Sequence, residues 1–282
     1  MNEFLLEAHA KLNLGLWVVG RRDDGYHDIE SLFVRLGLHD DVAVTPAGSL
    51  NGRVEADSGV RLEGLGLDDG NLAVRALRAY QRAAGDEREV RLELRKRIPL
   101  AAGLGGGSSD AAQVLLALAR LYPAAVELDT LALELGSDVP FFMSGQAAAW
   151  ASGRGERLEP VSLPPIPVVL LKPDVAVSAS EAYGLLAEVS PPPDRRGLLE
   201  RLSSSSEPEY LNSLQAGVVE EYPVVGEALE TLRHAGLRGV LMSGSGSTCF
   251  GLAESEQEAA LVAQGLRARY PGWWAWSGLA AV

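Results

Sequence analysis

Between Lys11 and Leu16 the chain alternates strictly, with Leu12, Leu14 and Leu16 on one face and Lys11, Asn13 and Gly15 on the other. That period of two predicts a strand, extended by its flanks to Phe4 and Val19, with two polar groups pointing the same way. Residues 20–27 form a polar, glycine-punctuated loop, and 28–36 and 41–45 read as two further strands. The Gly- and Asp-rich stretch 46–70 reads as short strands and turns. Asn71 is a suitable N-cap for an amphipathic helix over 72–84, which Gly85 terminates. Val90, Leu92 and Leu94 alternate with charged residues and mark another half-buried strand. It runs into the glycine loop Ile98 to Asp110, followed by an Ala/Leu-rich helix to about 121 and a second helix over 127–135. Gly136 to Phe142 breaks the pattern before a strand over 147–151. Pro160, Pro164, Pro165 and Pro167 mark the best boundary, giving domains 1–158 and 159–282. Beyond it the pattern predicts a strand (168–171), loops rich in proline (191–193) and serine (203–206), and a helix over 218–234. A strand (239–242), the loop Ser243 to Thr248, a strand, a helix over 254–269 and a closing strand follow. This alternation suggests an α+β sandwich, and no repeat of 20 to 50 residues accompanies it.

Composition narrows the function classes. The 282 residues carry 25 Lys and Arg against 38 Asp and Glu, a formal charge of −13, which argues against nucleic-acid or anionic-membrane partners. The length exceeds what one core usually organises, so two domains are expected. No apolar run approaches the roughly 18 residues needed to cross a bilayer, and Glu3 and Glu7 interrupt an N-terminus without a basic leader, so a cytoplasmic location is expected. The single cysteine, Cys249, excludes an intrachain disulfide and a multi-thiolate metal cluster. Only Lys11, Lys96 and Lys172 are lysine among the basic residues.

The glycine loop is where chemistry first shows. Successive glycines let backbone N–H groups converge on an anion, and a following helix adds its unpaired N–H groups and the positive end of its dipole. Strand, glycine loop and helix thus make a phosphate cradle, distinct from a P-loop, which needs Gly-Lys-Ser/Thr, and from a Rossmann fingerprint, because Ser108 stands where the third glycine belongs. Ser108, Ser109 and Asp110 also serve as ordinary helix caps. The second Gly/Ser loop, 243–248, is longer than a plain hairpin turn needs. His9, His27, His39 and His234 fall in neither triad nor zinc spacing. A strand lysine is ordinarily solvated and an aspartate before Val-Pro is ordinarily a turn or cap residue. Beside a phosphate cradle, however, Lys11 and Asp138 are a minimal pair for deprotonating an acceptor alcohol: at about 4 Å such charges interact by about 4 kcal/mol at an effective dielectric near 20, before desolvation.

Ala10-Lys-Leu-Asn-Leu-Gly-Leu16, Asp24-Gly-Tyr-His27, Pro99 to Ala112, Gly136-Ser-Asp-Val-Pro-Phe-Phe142 and Ser243-Gly-Ser-Gly-Ser247 resemble, in order and spacing, the motifs of the GHMP kinases over nearly the whole chain. The resemblance implies an α+β, two-domain fold: an N-terminal domain like the second domain of a small-subunit ribosomal protein and a ferredoxin-like C-terminal domain, with the active site in the cleft between them. Asp24-Gly-Tyr-His27 and the double-serine loop narrow it to enzymes acting on a cytidine-diphosphate methylerythritol in non-mevalonate isoprenoid biosynthesis, with ATP phosphorylating the 2-hydroxyl to give the 2-phosphate and ADP. The same carry-over makes Asp138 the general base and Lys11 its orienting ammonium. Pro99, Leu100, Ala101, Ala102, Gly103, Leu104, Gly105, Gly106, Gly107, Ser108 and Ser109 wrap the ATP phosphates, with Asn71 and Leu72 at the adenine. Asn13 and His27 hydrogen-bond the acceptor, His27 toward the cytosine edge, and Tyr26 and Tyr183 wall the base. Core packing is the ordinary alternative for both tyrosines. Related enzymes carry Ser-Thr four residues before the aromatic wall, where Ala179 stands here, so that hydroxyl comes from Ser178 or Ser180 or is missing. Mg²⁺ is expected with ATP, with Ser109 as a candidate ligand. The rivals are a GHMP kinase acting on homoserine, mevalonate or a galactose-type sugar, for which Gly25-Tyr-His27 and Tyr183 would be unnecessary, and a non-catalytic nucleotide sensor, for which the pair Lys11 and Asp138 would be.

Overall fold

The computed structural model describes residues 4–204 and 206–282; Glu3 and, in the serine-rich loop, Ser205 lie outside them. The chain divides into two compact units, the first comprising Met1–Ala10, Leu38–Leu100 and Gly105–Gln146, the second Lys11–Gly37, Ala101–Leu104 and Ala147–Val282. Strands β1 (Phe4–Arg21) and β2 (His27–Ala47) contribute to both.

In the first unit, β4 (Glu89–Lys96) pairs antiparallel with residues 41–47 of β2 and parallel with β3 (Asn51–Ala56). Val90, Leu92, Leu94 and Lys96 form its buried face, as the alternation predicts for the three apolar residues. Four helices follow, each burying an apolar stripe: α1 (Leu72–Ala84), α2 (Gly106–Leu121), α3 (Leu128–Leu135) and α4 (Val139–Ser144). For α1 the expected caps are realised, Asn71 Oδ1 accepting from Ala73 N–H and Gly85 adopting φ +61°. Three expectations change. Strands predicted over 28–36 and 41–45 are one strand of 21 residues, which runs through Asp40, a fully buried and partnered carboxylate. Helix α2 begins at Gly106 rather than after Asp110, so Ser108 and Ser109 stand inside its first turn instead of capping it. The break at 136–142 contains α4, whose first turn includes Pro140, a residue with no N–H to lose there.

The second unit carries the hairpin β5 (Ala148–Gly153) and β6 (Arg157–Pro160), β5 pairing also with residues 29–34 of β2. Then come β7 (Ile166–Lys172), α5 (Ala179–Gly184), α6 (Arg195–Ser203), α7 (Gln215–Glu221), α8 (Pro223–His234), β8 (Arg238–Met242), β9 (Cys249–Leu252), α9 (Glu256–Arg269) and β10 (Trp274–Ala280). The order β10-β7-β9-β8, antiparallel throughout, with α8 after β7 and α9 between β9 and β10, is the ferredoxin-like βαββαβ arrangement. Its core joins Leu16 and Val18 to Val169, Leu171, Leu229 and Met242. The single helix predicted over 218–234 is two helices, broken at Tyr222 because Pro223 cannot donate back into the preceding turn. Helices α5 and α6 fall in stretches too short or too polar to show a clear stripe. Cys249 is buried in this core, and burial raises its thiol pKa far above the ordinary range, so it is no nucleophile. No described helix is long and apolar enough to cross a membrane.

Candidate active site

Lys11 is not the solvated lysine its strand position ordinarily gives: it is 5% exposed. Its Nζ donates to Asn13 Oδ1 at 2.6 Å and lies 4.6 Å from the centroid of Phe33. Asn13 Nδ2 donates to Ser31 Oγ at 2.8 Å, and Ser31 Oγ donates to the Gly15 carbonyl at 2.7 Å. This chain fixes the Asn13 amide with its oxygen toward the ammonium, and the cation–π contact supports the charge from below. Period-two alternation created the face, and Phe33 and Ser31 on β2 close it.

The same face holds part of the glycine loop. Lys11 N–H donates to the Leu104 carbonyl at 2.9 Å. Ser243 Oγ accepts from Asn13 N–H at 3.3 Å and donates to the Gly103 carbonyl at 3.1 Å. Asn212 Nδ2 donates to the carbonyls of Met242 and Gly244 and so shapes the second Gly/Ser loop. Gly103 has φ +70°, and a Cβ there would lie 2.2 Å from the Ser243 carbonyl oxygen. Gly103→Ala is therefore expected to destabilise the protein by roughly 1–3 kcal/mol and to raise the KM for ATP, measured by urea unfolding and steady-state kinetics. The loop 243–248, longer than a hairpin needs, exists to make this approach.

In the first unit, Gly105 caps α2 in the left-handed conformation without a side-chain hydrogen bond, and the first turn holds no carboxylate. Its leading N–H groups are thus available to an anion. Gly106 is required by space, since a Cβ would meet Ile98 Cγ2 at 2.9 Å, while Gly107 lies beside Leu72. Asn71 is accounted for by its cap and by Nδ2 donating to the Gly66 carbonyl at 2.9 Å. Asp138 stands half-buried at the N-cap position of α4, yet its carboxylate does not cap that helix, so the ordinary capping role does not explain it. Gly136, two residues earlier, lies beside Ser108 Oγ. Ser109 Oγ is buried and has no hydrogen-bond partner among the described residues.

Under this cradle lies a cluster that the sequence did not announce. The Lys96 ammonium bonds both Asp40 Oδ2 and Asp110 Oδ2, all three residues being at most 2% exposed. Asp40 Oδ1 accepts the N–H groups of Arg97 and Ile98, the latter at 2.8 Å, fixing the entry to the loop. Burial pushes the Asp110 carboxyl up to about 7 against the opposing pull of Lys96.

The aromatic residues form two stacks. His27 lies on Tyr183 with centroids 5.0 Å apart and planes 23° from parallel, and desolvation followed by Arg21 lowers its pKa, favouring the neutral ring. Tyr26 is 52% exposed and lies under the Arg154 guanidinium, 4.3 Å from its centroid. Ser178 Oγ caps α5, accepting from Glu181 N–H at 3.1 Å, while Ser180 is exposed. Sequence reasoning missed Ser31, Asn212, Arg154 and the Lys96 cluster; only the scarcity of lysine pointed at Lys96. A separate groove of about 1490 Å³ along α1 contains none of the site residues above, and two of its arginines, Arg78 and Arg88, are paired with Glu89 and Asp86.

Residues 71–146 match the family described as GHMP kinases N terminal domain, and residues 193–272 match GHMP kinases C terminal. A 4-diphosphocytidyl-2-C-methyl-D-erythritol kinase of Deinococcus radiodurans is 51% identical over 278 residues, covering 95% of this chain and 90% of its own. A crystal structure of 4-(cytidine 5'-diphospho)-2C-methyl-D-erythritol kinase superposes with a TM-score of 0.84 at 45% identity, covering 98% of this chain and 99% of its own. A homoserine kinase from Cytophaga hutchinsonii has a TM-score of 0.66 at 17% identity, covering 99% and 94%, and shares the fold.

Proposed function

The chain belongs to the GHMP kinases, within them to the 4-diphosphocytidyl-2-C-methyl-D-erythritol kinases, and we propose that it transfers the ATP γ-phosphoryl group to the 2-hydroxyl of 4-(cytidine 5'-diphospho)-2-C-methyl-D-erythritol in isoprenoid precursor synthesis. The observation that carries this reading is Lys11, a buried ammonium held on Asn13 and Phe33 beside the glycine loop. In phosphoryl transfer the protein supplies position and charge more than covalent chemistry. The N–H groups opening α2, with residues 99–109, hold the triphosphate. Asp138 accepts the proton of the 2-hydroxyl as the oxygen attacks, and Lys11 orients the alcohol and offsets charge on the transferred group. Asn71 and Leu72 border the adenine. The cytosine takes the place on Tyr183 that His27 fills here, and the neutral His27 turns its ring edge to the base, with Tyr26 as the facing wall and Asn13 on the acceptor.

Mg²⁺ accompanies the ATP. The Ser109 hydroxyl, buried and without a hydrogen-bond partner among the described residues, is the protein oxygen at the cradle that would hold it. A bound Mg²⁺ would neutralise phosphate charge during transfer. The reaction belongs to the cytoplasm, and nucleic acid is no partner of so acidic a chain.

The test is ADP release from Mg-ATP with each alcohol supplied alone. Consumption with the cytidylyl alcohol and none with homoserine, mevalonate or galactose is the expected result. Turnover with one of those instead would reassign the acceptor, and no turnover with any would make the chain a nucleotide-binding protein.

A further inference from the structure

Arg154 occupies the turn between β5 and β6, half-buried, with flanking glycines at φ +71° and +115°. Gly155 packs against Phe33, the ring that carries Lys11 Nζ, since a Cβ on it would lie 3.4 Å from Phe33. The turn is therefore fixed on the side of β2 where Lys11 lies. The backbone N–H of Arg154 donates to Glu156 Oε2 at 2.6 Å, which holds the turn in shape without using the guanidinium.

The guanidinium lies on the face of Tyr26 and makes no ion pair among the described residues. The neighbouring arginine contrasts with it: Arg22 is occupied by Asp24 at 3.2 Å and Asp28 at 3.1 Å. Asp24 in turn accepts Tyr26 N–H at 3.1 Å, and Arg154 lowers its pKa only as the last of several causes. An arginine that stacks on an aromatic ring keeps its N–H edge available, and that planar edge matches two phosphate oxygens at once. Here the edge sits beside Asp24-Gly-Tyr-His27, in a chain with a net charge of −13, where phosphate is otherwise poorly attracted.

We infer that Arg154 is a specificity-determining residue that binds the diphosphate of the acceptor through its guanidinium while bracing Tyr26. The inference rests on the acceptor proposed above. It separates two jobs: Tyr26, Tyr183 and His27 select the base, and Arg154 selects the charged linker, so that cytidine alone would gain nothing from it.

The experiment compares wild type with Arg154→Met, which keeps an unbranched side chain of similar reach and removes the charge, and with Arg154→Lys. The binding probes are CDP and cytidine, and turnover is measured with the cytidylyl alcohol. Arg154→Met is expected to weaken CDP and raise the acceptor KM by about ten- to a hundredfold. Cytidine affinity, the KM for ATP and kcat at saturating acceptor should stay within about twofold. Arg154→Lys should recover part of the CDP affinity. Equal weakening of CDP and cytidine would make Arg154 a brace for Tyr26 alone and overturn the inference, as would an unchanged acceptor KM. Wild type that neither binds CDP nor phosphorylates the alcohol would instead overturn the proposed acceptor.

Discussion

Asp138→Asn is expected to lower kcat by about two to four orders of magnitude while leaving the KM for ATP and the unfolding midpoint close to wild type. The reasons are local. Asp138 sits at the turn before α4 without capping it, so the helix keeps its N-terminus when the carboxylate becomes an amide of the same shape. In the proposed site ATP is held by N–H groups of α2 and the glycine loop, which the substitution does not touch. What disappears is the proposed acceptor for the hydroxyl proton. Because the transferring phosphoryl group leaves early in such reactions, the base matters most as the new bond completes, which gives the lower end of the range. Steady-state kinetics against both substrates, with a urea curve on the same sample, decides it. A kcat within threefold of wild type would move the proton to water or to a phosphate oxygen.

How far the sequence reached depends on whether the cause was local. Lys11 and Asn13 were legible as a shared face because a strand's period is two, and the α1 caps because capping spans three residues. Most of the ferredoxin-like half was legible from alternating elements, although the helical pattern over 218–234 continues across Pro223, which splits the helix in two. The burial of Lys11 was not legible: it depends on Phe33 and Ser31, about 20 residues away, and on Ser243, more than 200 away. The burial of Asp40, in the gap between the two expected strands, was not legible because nothing within ten residues reveals its partner, Lys96, 56 positions on. Side chains that act through long-range partners are the part a single sequence hides.

Lys96→Met should produce the largest loss of stability, about 3–5 kcal/mol, because it strips the shared ammonium from two buried carboxylates. The methionine stem fills the same space, so the loss reports charge rather than a cavity. Asp40 keeps the N–H groups of Arg97 and Ile98, whereas Asp110 Oδ1 already has no partner among the described residues, leaving Asp110 as the place for a proton. Its native pKa, about 7, is above the roughly 3.9 of an unfolded aspartate. The native state therefore binds the extra proton between about pH 4 and pH 7, stability falls as pH rises through that window, and it levels off above it. Removing Lys96, which opposes the shift, should extend the fall to higher pH. Asp110→Asn, which imitates the protonated acid and leaves Lys96 on Asp40, should abolish this contribution to the slope and match or exceed wild type above pH 7. Urea midpoints from pH 4.5 to 8.5 for the three proteins test the argument, and parallel wild-type and Asp110→Asn curves would remove Asp110 as the titrating group. Because Lys96 ties the end of β4 to α2, the methionine variant should also raise the KM for ATP, even below the temperature at which it unfolds, linking the buried cluster to the cradle it supports.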